Sequence, residues 1–101
     1  MFDVSIKVIK ITEYDDLKVK YEINPSEIKC FMKVGDTFIS RSGNIPEGFC
    51  LEAWKCIDEY VLRLAKGEEN IFGEWLKNKK SLILSCNDGI RPVSFLLEII
   101  Q

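Results

Sequence analysis

Between residues 51 and 65, Leu51, Trp54, Ile57, Val61, Leu64 and Ala65 recur at three- and four-residue steps, the period of a helix with one apolar stripe. Glu52, Lys55, Glu59, Arg63 and Lys66 take the opposite side, and Gly67 stands where a left-handed C-terminal cap is expected. Asp58 falls inside the stripe by this count and is read as a carboxylate at its rim. A stripe this wide has to be buried, and a chain of 101 residues has room for one core. The remaining segments must therefore supply a complementary apolar surface.

Their periods point to a sheet. Phe2, Val4, Ile6 and Val8 alternate with Asp3, Ser5 and Lys7, as in a half-buried strand, and Ile9 and Ile11 then change phase, which asks for a bulge or for burial on both faces. Leu17, Val19, Tyr21 and Ile23 leave two readings open: a strand, or a short helix capped by Asp15 with Leu17 and Tyr21 one turn apart. Pro25 closes that segment, residues 34–39 read as a turn and a short strand, and residues 42–48 are a cluster of turn formers. Asn70 is placed to cap a second, shorter helix through Ile71, Phe72, Trp75 and Leu76. Leu82, Ile83 and Leu84 form a buried apolar run, Asn87-Asp88-Gly89 is a turn signal with Asp88-Gly89 left-handed, and residues 93–100 form a strand that completes a hairpin. Trp54, Phe72, Trp75 and Phe95 are assigned to the core. The expected fold is a single α+β domain over residues 1–101: a mostly antiparallel sheet or small open barrel with two helices packed on one face.

Charge and composition narrow the function. With 14 Lys+Arg against 16 Asp+Glu there is no excess of cations to neutralise a nucleic-acid backbone or to hold an anionic membrane. Lys77, Lys79 and Lys80 read as a solvated cluster. The N-terminal residues lack the basic-then-apolar pattern of a secretory signal, and no apolar run approaches the roughly 20 residues that span a bilayer. The expected setting is cytoplasmic, without nucleic-acid or membrane partners. The absence of histidine excludes a Ser-His-Asp triad, and no glycine-rich phosphate loop follows a strand. In a reducing compartment Cys30, Cys50, Cys56 and Cys86 are expected as thiols, ligands or redox groups, and no C-x-x-C pair marks a zinc ribbon or thioredoxin-like motif.

Two stretches are longer and more distinctive than this. Ile45-Pro46-Glu47-Gly48-Phe49-Cys50 with Ala53-Trp54, and Ser85-Cys86-Asn87-Asp88-Gly89-Ile90-Arg91-Pro92-Val93 with Phe95, resemble a family of short uncharacterised bacterial and archaeal proteins with a C-terminal Cys-Asn/Thr-Asp-Gly-Leu-Arg-Pro-Val signature. Cys30, Cys50, Trp54, Cys86, Asp88, Gly89, Arg91 and Pro92 match the family's pattern. Ile90 replaces its usual Leu, Ser85 stands where many relatives carry another cysteine, and Cys56 has no counterpart. The resemblance implies a helix from Asp16 to Tyr21 and brings no activity, substrate or cofactor with it.

Two constellations could carry chemistry. Cys30, Cys50 and Cys86 offer thiolates for zinc or an iron–sulfur cluster, or a redox site, and Cys50 near a helix N-terminus has the dipole that favours a reactive thiolate. Cys56 is set roughly 120° from Cys50 around the helix and drops out of any shared site. The alternative for each is packing as a small hydrophobe. In the loop that follows Cys86, Arg91 offers a planar fork of donors and Asp88 and Gly89 shape the turn, a setting for an anion, unless Arg91 pairs internally with Asp88 or Glu47. The sequence thus suggests a small accessory or binding domain for a small molecule or protein, with a ligand, metal or anion site near residues 86–92. The alternatives are a thiol-based redox or iron–sulfur/zinc protein using Cys30, Cys50 and Cys86, and a structural subunit of a larger assembly. Cys50 and Cys86 are expected side by side next to the loop.

Overall fold

The alternation that opens the chain becomes the central strand of a sheet. The computed structural model describes residues 1–27 and 30–101, which form β1 (Asp3–Ile11), α1 (Asp15–Tyr21), β2 (Thr37–Ser40), α2 (Leu51–Ala65), β3 (Ser81–Ser85) and β4 (Val93–Ile100). The strands lie in the order β2-β1-β4-β3 and every pairing is antiparallel. The fold is therefore α+β with an open sheet, not a closed barrel. The hairpin of β3 and β4 forms as the turn signal required, and β1 joins it along its length, from Asp3 opposite Ile100 to Ile11 opposite Val93. The change of phase after Val8 is a bulge: Val8 faces Phe95, whereas Lys10 faces Ser94.

One face of the sheet supplies Val4, Ile6, Val8, Leu82, Val93, Phe95 and Leu97 to the core. Helix α2 covers it with Ala53, Ile57, Val61, Leu64 and Ala65, while Trp54 packs half-buried at the edge. Leu51, the first residue of the stripe, is exposed, and Asp58 faces solvent. The helix stops where its sequence says it should. Gly67 adopts φ +89°, its N–H donates to Leu64 O at 2.8 Å and the Glu68 N–H donates to Arg63 O at 3.1 Å, so two of the final carbonyls are satisfied. Phe49, immediately before α2, fixes the entry. Its ring meets Phe38 edge-on at 4.9 Å and stands 5.5 Å from Phe95.

Three expectations fail, for physical reasons. Residues 70–76 form turns, not a helix. Asn70 is left-handed at φ 50° and Gly73 at φ +102°, and the Asn70 N–H donates to Lys79 O at 2.8 Å, so the chain folds back before a helical turn can propagate. Phe72 and Trp75 consequently stay outside the core, Trp75 with 70% of its surface exposed. The run Leu82-Ile83-Leu84 is buried on one side only: β3 is an edge strand and Ile83 points away from α2, into solvent. The ambiguous segment after β1 resolves as helix α1, with Tyr14 rather than Asp15 at the cap position. Among the described residues no helix is long and apolar enough to cross a membrane.

Candidate functional site

The bulge in β1 sets the geometry at one end of the sheet. Beyond the last paired residues, Ile11 and Val93, the ladder continues into the flanking loops: the Thr12 N–H donates to Pro92 O at 3.1 Å and the Tyr14 N–H to Ile90 O at 2.9 Å. In that register Glu13 falls opposite Arg91, and Arg91 Nε donates to Glu13 Oε1 at 2.8 Å. Had the register that precedes the bulge continued, Glu13 would face Ile90. The internal partner of Arg91 is thus neither Asp88 nor Glu47. Asp88 is occupied otherwise: its Oδ1 accepts from the backbone N–H groups of Ile90 at 2.9 Å and Arg91 at 3.0 Å, an Asx turn that holds the loop. Gly89 is not left-handed, and a Cβ there would meet nothing within 4 Å, so the turn rests on the Asp88 side chain and Gly89 does not line the site.

Beside this loop lies a cleft of about 200 Å³ lined by Cys30, Phe31, Cys50, Cys86, Arg91 and Val93, together with Glu52, Ala53, Asn87 and Asp88. The three thiols singled out by sequence therefore border one space, and Cys56 is excluded from it, its Sγ donating within α2 to Glu52 O at 3.4 Å. Each arrives by a different route. Cys50 is the N-cap residue of α2 and makes no side-chain cap bond; Cys86 follows β3; Cys30 is carried on the loop before β2. Cys86 also closes the hairpin, donating its N–H to Val93 O at 3.1 Å and accepting the Val93 N–H on Sγ at 3.3 Å. All four cysteines are free. Among the described residues no group of three Cys, Asp or Glu side chains is disposed to hold a metal ion.

Arg91 dominates the polar wall. Burial by itself disfavours its charge, but the hydrogen bond to Glu13 and the neighbouring Cys30 outweigh burial and raise its pKa, so the guanidinium stays protonated. One of its nitrogens, Nη1, is shielded from solvent and has no hydrogen-bond partner among the described residues. Glu13 takes the complementary shift. The hydrogen bond from Arg91, followed by Lys18 with its Nζ at 3.4 Å, holds the carboxyl below its ordinary value of 4.5. A lowered folded-state pKa contributes stability that is complete above the unfolded value and disappears as pH falls through the folded one. Glu13→Gln is therefore expected to lower the melting temperature at neutral pH, and the difference from wild type should shrink as the pH is taken below the ordinary value of 4.5. Melting curves between neutrality and strong acid check this; a gap that stays constant would show that Glu13 is not the linked group.

Glu13, Phe31 and Glu52 were not anticipated from sequence. Glu13 was in principle readable: a strand pairing of β1 with β4 and one bulge place it opposite Arg91 by counting. Phe31 and Glu52 carry no comparable signal, since they reach the cleft only through the course of a loop and the angle of α2. No family model, curated protein or solved structure matches the chain.

Proposed function

We propose that the protein is a small binding domain whose thiol-lined cleft takes a compact, mostly apolar molecule carrying one hydrogen-bond acceptor, received by Nη1 of Arg91. The observation that carries this reading is the orphaned Nη1 of a guanidinium that lines the cleft. A buried donor without a partner costs about 1–3 kcal/mol, which an acceptor on a ligand would return. The walls suit an apolar body, because thiols, Phe31, Ala53 and Val93 make up most of them.

The charge balance speaks against a phosphate. Arg91 is the single cation among the described lining residues, Glu13 already holds its Nε, and the carboxylates Glu52 and Asp88 line the same cleft. A dianion would find no excess positive field there. An uncharged carbonyl acceptor fits better. Both stretches that carry the family resemblance contribute to this cleft, the first through Cys50 and the second through Cys86 to Val93.

Titration of isotope-labelled protein with isobutyramide, followed by nuclear magnetic resonance, tests the proposal. Saturable shifts are expected at the amides of Cys30, Cys50 and Val93 and at the Arg91 Nε–H, with inorganic phosphate leaving them unmoved. No saturable shift at millimolar isobutyramide, or a stronger response to phosphate, would sink it.

A further inference from the structure

Among the described residues, helix α1 is the one element of the fold with no buried side chain, and it makes no substantial contact with another helix or strand. Val19 and Tyr21 are 76% and 66% exposed, and Ile23 just after the helix is 96% exposed. Helices this short are marginal in water without a packed face, since the cost of nucleation is not recovered in a single turn or two. Val19 and Ile23, four positions apart, are both left in solvent, and Tyr21 is exposed on the other side of the helix, about 200° around from Val19.

We infer that α1 is the contact between two copies of this chain, packed antiparallel across a two-fold axis. The pattern of charge selects a second copy over other partners. The first turn of α1 carries Asp15 and Asp16 and the last turn carries Lys18 and Lys20, so antiparallel pairing sets the acidic end of each helix against the basic end of the other, with opposed dipoles. Lys18 is already engaged by Glu13, which leaves Lys20 as the cation that reaches across. A surface complementary to itself in this way satisfies the requirement of an isologous interface. A strongly basic or acidic partner would instead meet a helix of mixed sign.

The size of the molecule agrees. The chain exposes 6609 Å², whereas a compact monomer of 11.7 kDa exposes about 5,900 Å². The excess of about 700 Å² over the whole chain means that more surface is left uncovered than a compact monomer of this mass leaves. The radius of gyration, 14.6 Å, likewise exceeds the roughly 13 Å of a compact domain of this length.

Sedimentation equilibrium of the full chain at micromolar concentrations provides the test. The wild type is expected at twice its 11.7 kDa mass. The double variant Val19→Glu, Ile23→Glu and, separately, the charge reversal Asp15→Lys, Asp16→Lys are each expected to sediment at half the wild-type mass. Because these positions are exposed, both variants should keep the wild-type circular dichroism, and should one lose it the other still decides. A monomeric wild type would overturn the inference and leave this surface to a different partner. A dimer that survives both sets of substitutions would place the interface elsewhere and overturn it equally.

Discussion

Phe95→Ala is expected to remove about 3–5 kcal/mol of stability, the range for deleting a fully buried aromatic side chain. Phe95 has no exposed surface and sits on β4 between Val8 of β1 and Leu84 of β3, with the ring of Phe49 5.5 Å away. Both neighbouring strands are held at fixed spacing by their hydrogen bonds, so the wall on the sheet side cannot close on the space left behind. Collapse would have to come from α2, whose position is also set by Ile57, Val61 and Leu64. A domain of this length has about 5–15 kcal/mol in total, so the variant would be close to unfolding and its melting temperature lower by roughly 15–30 °C. Trp75→Ala removes a larger ring from a position 70% exposed and is expected to change stability by no more than about 0.5 kcal/mol. Urea denaturation of the two variants makes the comparison direct. A loss below about 1 kcal/mol at Phe95 would mean that the core relaxes far more than a central sheet position allows.

The second large effect concerns binding. Arg91→Met keeps an unbranched stem of similar reach and removes every donor, so the affinity for isobutyramide should fall by about 10- to 100-fold, the worth of one buried hydrogen bond to a charged donor. Stability should fall only modestly, by about as much as in Glu13→Gln, because the same ion pair is lost in both and the Glu13 side chain is 43% exposed. Glu13→Gln is the informative companion. It leaves Nη1 in place and should bind isobutyramide nearly as wild type does, while Arg91→Met should not. If the methionine variant binds as tightly as wild type, Nη1 is not the recognition group and the proposed reading of the cleft fails.

The contrast between what residues reveal in order and what they reveal in space runs through this chain. Period-two and period-3.6 patterns identified β1, α2 and the hairpin of β3 and β4, because each buries one face against the same core and the pattern is the direct imprint of that burial. The same reasoning failed at Phe72 and Trp75, whose spacing suits a helix but which have no sheet beneath them, and where Asn70 and Gly73 turn left-handed. Cys30, Cys50 and Cys86 could be grouped in advance because two of them lie at ends of elements that meet at one edge of the core. Their role could not be read, since ligation depends on the disposition of side chains to within an ångström or so, which spacing along the chain does not fix. The partner of Arg91 lay 78 residues away, and only the single extra residue in β1 decides that it is Glu13.

The position of β4 has a further consequence, for the order of events in folding. Its pairing with β3 spans a short turn, while its pairing with β1 joins Asp3 to Ile100, almost the whole length of the chain. Closing a loop of that size is entropically the most demanding step and is recovered only once many contacts form together. Helix α2 and the β3–β4 hairpin can therefore assemble early as a local unit, whereas β1, and β2 that depends on it, must wait. During synthesis the first strand is made long before β4, its neighbour on one side, exists. Val4, Ile6 and Val8 are left uncovered in the interval, so the sheet that shelters them is completed from its last strand backward.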